Sequence, residues 1–274
     1  FGPKKVGLVT QILMLTALLA LGKIQITHIT ELYFWSFLLG FAGASFSVAM
    51  PLVSGWYPPE HQGKALGITA LGGSGTFLTA LLAPRLAETY SWQAVFNFAA
   101  IPVALVLLLY QLLVKESDNR PAPQPLARYF YVLRYGDTLW FCFFYAVTFG
   151  AFISLSSSLV TYFYEHFQVQ PSTAGTLTAF CILGGAIVRP LGGWLADHLG
   201  GILTLKITFV VVSLALLMLG LVTQPPLTLA VTTILLTMTM LGLGNGAVFQ
   251  LIPLRFFRQM GIVTGLVGTA GGLS

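Results

Sequence analysis

Charged residues are scarce in this chain. Lys and Arg total 13 and Asp and Glu total 8 among 274 residues, so 8% are charged, against about a quarter in a water-soluble domain. The chain is also 56% hydrophobic, and its mean hydropathy is +0.86. These proportions exclude an ordinary water-soluble enzyme, and they equally exclude a disordered or fibrous chain.

Cysteine is scarce as well. Cys142 and Cys181 each lie inside a long apolar run with no Cys or His cluster nearby, so we expect neither a disulfide framework nor a metal site. The sequence also lacks a phosphate-cradling loop, a paired-carboxylate site and a Ser-His-Asp set, so we expect no enzyme, no cofactor and no ATP-driven pump. The basic residues form no patch or stripe, which argues against nucleic acid as a partner.

Long apolar runs dominate what is present. Nine stretches are apolar over about twenty residues, the length that crosses a bilayer as a helix. They lie near residues 5–22, 32–56, 63–86, 92–114, 139–164, 172–195, 202–222, 227–253 and 261–274. The pattern predicts an all-α integral membrane protein whose native solvent is the lipid bilayer.

The basic residues favour one side of that membrane. If the segment holding Lys4 and Lys5 is cytoplasmic, ten basic residues lie inside, against Lys23 and Arg85 outside. The ten are Lys4, Lys5, Lys64, Lys115, Arg120, Arg128, Arg134, Lys206, Arg255 and Arg258. Cytoplasmic connections carry such an excess of Lys and Arg, so the polar stretch Lys115–Asp137 is predicted to face the cytoplasm.

A weak internal repeat sets the expected domain organisation. A shift of 202 residues places Leu39–Ala42 on Leu241–Gly244 and Pro51 on Pro253. Self-similarity of this kind is typical of transporters built from two parallel halves. We therefore expect spans three to eleven of a twelve-span protein with two six-helix bundles. The expected divisions are a first bundle over 1–114, a cytoplasmic linker over 115–138 and a second bundle over 139–274.

Arg189 is the ionisable residue placed deepest in any predicted span, because the eight acids all lie at or near span ends. A charge at that depth costs about 2.5–3.5 kcal/mol even on the lenient insertion scale, which marks a candidate functional site. The alternative is an arginine whose side chain extends to the cytoplasmic interface, since Asp197 lies about two helical turns further on.

Several motifs resemble the nitrate/nitrite porters of the major facilitator superfamily. The superfamily's loop motif is similar to Gly193–Gly201, with His198 where Arg is usual. The stretch Gly242–Pro253 resembles the family's tenth helix. Arg189–Gly193 and Tyr145–Phe152 are similar to segments of its eighth and seventh helices.

The resemblance implies a planar anion held near the membrane midplane by arginines and aromatic rings. By motif position the eighth-helix arginine is Arg189, and the aromatic wall is Phe46, Tyr145 and Phe149. The resemblance also implies glycine-rich segments at the site, represented by Gly72, Gly73 and Gly271, with Gly73 standing where the family usually has Asn. Asn245 is a further substrate-binding candidate, with an interhelical hydrogen bond as its alternative. Gly193, Asp197 and Gly200 belong to the conformational loop motif.

The function expected from this resemblance is secondary transport of nitrate and nitrite by alternating access, as nitrate/nitrite exchange. Proton-coupled nitrate symport and transport of another small or organic anion remain alternatives. We expect a monomeric multi-pass protein in a bacterial inner membrane.

Overall fold

The computed structural model describes most of the two predicted bundles. It covers residues 3–25, 28–43, 48–49, 52–53, 56, 72, 75–115, 131–256 and 260–273. Two candidate site residues, Phe46 and Gly73, and most of the 115–138 linker lie outside the described residues.

Four described helices cover the earlier part of the chain. They are α1 (Pro3–Leu21), α2 (Ile29–Gly40, extended by a 3-10 turn over Phe41–Gly43), α3 (Gly75–Thr89) and α4 (Trp92–Leu113). The side chain of Ser91 accepts a hydrogen bond from the Ala94 backbone N–H at 3.2 Å, which satisfies one of the free donors at the start of α4.

The later helices follow in close succession. They are α5 (Gly136–Tyr145), a π-helical segment (Ala146–Gly150), α6 (Ala151–Phe167), α7 (Pro171–Ile187), α8 (Arg189–Leu199), α9 (Gly201–Leu221), α10 (Leu227–Phe256) and α11 (Met260–Leu273). Within the described part of the chain, every regular element is helical.

Each of the nine predicted spans overlaps a described helix, and the all-α membrane fold is confirmed. Six of these helical stretches are long and apolar enough to cross a membrane. They are Lys4–Leu21, Trp92–Leu113, Gly136–Phe167, Pro171–Leu199, Gly201–Leu221 and Leu227–Phe256. Two shorter apolar helices, Ile29–Gly43 and Ile262–Gly272, lie in the second and ninth predicted spans.

Two of the long spans contain an irregularity that the apolar pattern does not show. The stretch Pro171–Leu199, which consists of α7 and α8 and which we call the eighth-helix span, is interrupted at Val188. The cause is Pro190, which has no N–H to donate to the carbonyl four residues earlier and whose ring crowds that carbonyl. The stretch Gly136–Phe167, which runs from α5 to α6 and which we call the seventh-helix span, contains the π-helical turn Ala146–Gly150, a feature that often occurs at functional sites. Both irregularities lie beside candidate site residues.

The packing divides the chain into two compact units. The first consists of Phe1–Ala70 and Ala83–Pro123, and the second of Leu71–Leu82 and Gln124–Ser274. In the first unit, α1 packs against α2 and α4, and the Asn97 side-chain amide donates to the Gly22 carbonyl at 2.9 Å. The division into bundles over 1–114 and 139–274 with a linker between them stays a prediction.

Helix α10 is the centre of the second unit, where it packs against α7, α8 and α9. Glycine makes this close packing possible. A Cβ on Gly242 would overlap the backbone of Gly185, and one on Gly192 would overlap the carbonyl of Leu243. Small residues let helix backbones approach in this way inside membrane bundles.

Candidate functional site

The buried apolar residues of the second unit form two clusters. The first, the Tyr145 cluster, consists of Val132, Phe141, Tyr145, Ala196, Leu205, Ala247, Val248, Leu251, Ile252, Phe256, Val263 and Val267. The second, the Phe152 cluster, consists of Ala80, Phe152, Leu159, Phe163, Ala174, Ala179, Cys181, Ile182, Ile234, Met238 and Leu241. Three helical spans contribute to both clusters.

Each of these three spans passes from one cluster to the other over a short interval. The seventh-helix span does so between Tyr145 and Phe152, the eighth-helix span between Ile182 and Ala196, and α10 between Leu241 and Ala247. Arg189 lies midway in the second interval and Asn245 lies inside the third. The two polar candidates therefore occupy the zone between the apolar clusters, which we call the polar layer.

Arg189 begins α8 immediately after the interruption at Val188. Its guanidinium carbon lies 4.6 Å from the ring centre of Phe152 and 5.7 Å from that of Phe149. The first of these rings is fully buried. Cation–π contacts of this kind contribute about 0.5 to 2 kcal/mol, with the larger values in desolvated sites, so they offset only part of the cost of burying the charge.

The Arg189 guanidinium retains unused hydrogen-bonding capacity. Its Nε atom is buried and has no hydrogen-bond partner, and no carboxylate among the described residues forms an ion pair with it. In the alternative interpretation, the Arg189 side chain extends to the cytoplasmic interface near Asp197. Asp197 is exposed, and it does not form an ion pair with Arg189. A half-buried cation whose buried Nε has no partner is suited to bind an anion.

The aromatic wall predicted from the seventh helix is assembled beside Arg189. The rings of Tyr145 and Phe149 stack with 5.1 Å between their centres and 7° between their planes. Tyr145 also makes an edge contact with Phe249 of α10, at 4.9 Å. Residues 145 and 149 are four apart, a spacing that predicts one shared helix face, and the stacked rings confirm it, although the backbone between them is π-helical.

Gly271 of α11 lies directly against this wall. A Cβ at position 271 would lie 2.5 Å from two ring carbons of Tyr145 and 3.0 Å from one of Phe149. The absence of a side chain at this position lets the eleventh helix approach both rings. Gly271, one of the glycines that the resemblance implies at the site, therefore lies against the aromatic wall.

Asn245 is buried in the polar layer, with 3% of its surface exposed. Neither its amide nitrogen nor its amide oxygen has a hydrogen-bond partner. The interhelical hydrogen bond offered as its alternative role is therefore absent among the described residues. A buried amide with no partner is unfavourable, so this residue requires an explanation.

The remaining predicted residues lie elsewhere. Gly72 is exposed, and a Cβ added to it would meet no described atom within 4 Å, so the structure does not bring it to the wall. The loop-motif residues follow Arg189 along α8: Gly193 is half-buried beside Gly246, and Asp197 is exposed. Gly200 ends α8 with a φ of +89°, which a glycine adopts most easily.

Two aromatic residues of this site were missed in the sequence. Phe152 faces Arg189 and Phe249 contacts Tyr145, yet neither was chosen as a candidate. A signal for Phe152 does exist, because residues 145, 149 and 152 follow the four-and-three spacing of one helix face. No comparable signal marks Phe249, because its partner is on a different helix.

The arrangement supplies a positive charge, unpaired N–H donors and aromatic walls within apolar surroundings. An anion could accept hydrogen bonds from Arg189, and ring edges carry a partial positive charge that tolerates anions. In the described part of the chain no group of three or more His, Cys, Asp or Glu residues is placed to hold a metal ion.

Comparisons with known proteins identify the family. The chain matches the family model described as Major Facilitator Superfamily over residues 1–274. It is 34% identical over 244 residues to the nitrite extrusion protein of Bacillus subtilis (strain 168), covering 86% of this chain and 60% of that protein. It is 31% identical over 276 residues to the probable nitrate/nitrite antiporter NarK1 of Thermus thermophilus, covering 89% and 62%.

A third relative is covered more fully. The probable nitrate transporter NarT of Staphylococcus haemolyticus (strain JCSC1435) is 30% identical over 275 residues, which cover 99% of this chain and 70% of that protein. The chain thus spans about three fifths of the length of the first two relatives and somewhat more of this one.

A solved structure supports the fold. A bacterial homologue of the human lysosomal transporter Spinster, in an inward-facing and occupied conformation, matches with a TM-score of 0.61 and 18% identity. The match covers 97% of this chain and 64% of that one. The chain is a multi-pass membrane protein that belongs to the Major Facilitator Superfamily, in which the sequence relatives described above are named as nitrate and nitrite transporters.

Proposed function

We propose that the full-length protein is a secondary transporter that carries nitrate and nitrite across a bacterial inner membrane by alternating access. The observation that carries this proposal is the buried Arg189 Nε, which has no partner although the guanidinium faces the Phe149 and Phe152 rings. The names of the relatives, which are transporters of these two anions, supply the substrates.

The geometry of the arginine supports a small flat oxyanion. A guanidinium presents five N–H donors in a planar fork, which matches the planar arrangement of oxygens in nitrate and the bent arrangement in nitrite. Arg189 has no carboxylate partner among the described residues, so a bound anion would balance its charge. Tyr145 and Phe149 are proposed to close one side of the site, with Gly271 letting α11 approach them. Phe46, Gly72 and Gly73 remain proposed contributors on the resemblance alone.

Alternating access requires that the site opens to one side of the membrane at a time. The loop motif of Gly193, Asp197 and Gly200 is proposed to take part in that change, because it joins α8 to α9 at the predicted cytoplasmic end. The family and the relatives' names point to transport rather than to a chemical reaction, and we propose that the protein acts as a monomer without a cofactor.

Exchange of nitrate for nitrite is the proposed mode of coupling. Within the described spans, acidic and histidine side chains occur only near helix ends, so no proton relay is in evidence there. We expect proteoliposomes of the full-length protein to take up nitrate when loaded with nitrite and to do so poorly when empty. Nitrate uptake into nitrite-free vesicles that follows an imposed pH gradient would instead establish proton symport.

The role of Arg189 in anion binding is tested by replacing it with lysine. Arg189→Lys keeps the charge but loses the planar fork, and losing one charge-assisted hydrogen bond costs about 1.5–3 kcal/mol, or roughly tenfold to more than a hundredfold in affinity. We expect that loss in nitrate binding by calorimetry, and a matching loss of transport.

Arg255→Lys is the matched control, because Arg255 is exposed at the end of α10 and pairs with Asp137 at 2.5 Å, which a lysine can also do. This variant should bind nitrate normally. Wild-type affinity in a folded Arg189→Lys protein would overturn the proposed role of Arg189.

A further inference from the structure

Asn245 carries an unusual combination of burial and unused hydrogen-bonding groups. It is 3% exposed, and both ends of its amide lack partners. An amide offers two donors and one acceptor. A bound anion can accept hydrogen bonds from both N–H groups of the Asn245 amide. It cannot serve the amide oxygen, which is itself an acceptor and needs an N–H or O–H group. The amide oxygen of Asn245 therefore needs a donor from the protein as well.

The position of Asn245 on α10 is fixed by the contacts of its neighbours. A Cβ on Gly244 would lie 2.7 Å from the Thr148 methyl in the π-helical segment, and Phe249, one turn further on, contacts Tyr145. Successive residues turn by about 100° around a helix, so Asn245 lies on the arc between these two contacts. That arc faces the seventh-helix span, beside the aromatic wall.

The backbone of Arg189 adjoins the other side of Asn245. A Cβ on Gly246 would overlap the Arg189 carbonyl oxygen, so α8 begins in contact with the residue that follows Asn245. The guanidinium then extends from that point towards Phe152, on the seventh-helix span that Asn245 also faces. Arg189 and Asn245 thus approach the same wall from adjoining backbones.

Arg189 Nε is the donor that matches the unpaired amide oxygen. Among the described residues of the second unit, the other buried side-chain atoms without partners belong to Thr138, Thr178 and Gln250. Thr178 lies eleven residues before Arg189, about 16 Å along a helix, and Thr138 lies about 10 Å before Tyr145 on the same basis. Gln250 lies against Gly201 at the start of α9. None of the three is placed in the polar layer.

From this pairing we infer that Asn245 is a positioning residue for Arg189. When the site holds its anion, the amide oxygen accepts from Arg189 Nε–H, which fixes the plane of the guanidinium and aims its terminal NH2 groups at the substrate. The amide NH2 then donates to the same anion. Asn245 therefore favours oxyanions, whose several oxygens can use donors fixed in orientation, over a spherical anion such as chloride. This inference rests on the proposed anion site.

The test uses the full-length protein and Asn245→Leu, which removes the amide and fills similar space. We expect nitrate affinity by calorimetry to fall about tenfold to a hundredfold, the range for loss of a hydrogen bond to a charged group. The melting temperature without nitrate should hold or rise, because a buried unpaired amide has been removed. Asn245→Ala serves the same purpose if the leucine variant fails to fold.

Thr178→Val is the matched control, since it also removes a buried unpaired polar atom from the second unit, away from the polar layer. It should leave nitrate affinity unchanged. In an Arg189→Lys background, Asn245→Leu should weaken binding clearly less than it does in the wild-type background, because the part of its effect that acts through Arg189 Nε is gone and only its own N–H donation to the anion is lost.

Three results would overturn the inference. Wild-type nitrate affinity in folded Asn245→Leu and Asn245→Ala would do so while leaving the anion site itself intact. A full additional loss in the Arg189→Lys background would show that Asn245 acts independently of Arg189. Normal nitrate binding by Arg189→Lys alone would refute the proposed site, and this inference with it.

Discussion

The contact between Gly271 and the aromatic wall makes position 271 sensitive to a single methyl group. Gly271→Ala would place a carbon 2.5 Å from the Tyr145 ring, so the ring or α11 must move. Overpacking of this kind costs about 1–3 kcal/mol. We expect weaker nitrate binding and a lower melting temperature in the full-length protein, both measured on the purified variant.

The neighbouring residue provides the control for that change. A Cβ on Gly272 would meet no described atom within 4 Å, and Gly272 is exposed. Gly272→Ala should therefore leave binding unchanged and stabilise the helix by up to about 1 kcal/mol. Equal effects of the two substitutions would contradict the contact between Gly271 and the wall.

At the scale of single elements, the turn between α8 and α9 depends on backbone conformation rather than on space. Gly200 has a φ of +89°, and a Cβ there would meet no described atom within 4 Å. Its N–H donates to the Ala196 carbonyl, and its own carbonyl accepts from Thr204. The residue therefore ends one helix and begins the next.

Gly200→Ala should destabilise the protein by about 1–3 kcal/mol, the cost of holding an ordinary residue in a sparsely populated backbone region. We expect a lower melting temperature with nitrate affinity retained, because the turn is outside the anion site. Gly220→Ala, inside α9 and equally free of nearby atoms, is the control and should be neutral or stabilising. Normal stability of Gly200→Ala would contradict the conformational role of this glycine.

At the scale of the whole molecule, the distribution of basic residues predicts which connections face the cytoplasm. A cysteine at Asn119, in the linker, should react with a membrane-impermeant thiol reagent only from the cytoplasmic side. A cysteine at the exposed Gln170, between α6 and α7, should react only from the other side. Every native cysteine of the full-length protein, Cys142 and Cys181 among them, is first replaced by alanine, so that only the introduced thiols report.

Gln168 is a less suitable position than Gln170 for the introduced cysteine. Gln168 is in the same connection, but its side-chain amide donates to the Glu165 carbonyl at 2.7 Å, and a cysteine there would lose that hydrogen bond. Reaction of positions 119 and 170 from one side would mean that the number of spans between them is even, which contradicts the single crossing predicted from the long apolar helical stretch Gly136–Phe167.

Much of this fold followed from residue types alone. Runs of apolar residues bounded by proline and charge predicted nine spans, because an apolar helix of about twenty residues crosses the bilayer core while satisfying its own backbone hydrogen bonds. Arg189 was identified from its cost in that environment, and Tyr145 and Phe149 were placed on one face by their spacing. These are local properties, which a sequence contains in full.

Contacts between helices were decided by the tertiary structure. The partners of Arg189 on the seventh helix, the edge contact of Phe249 with Tyr145, and the approach of Gly271 to the wall each join residues far apart in the chain. So does the polar layer, which exists because three helices pass between two apolar clusters at one level. The sequence by itself determined which residues enter the membrane, because insertion depends on the composition of each segment. Which side chains meet there depends on how glycine and bulky residues of different helices fit together, and only the packed structure fixes that.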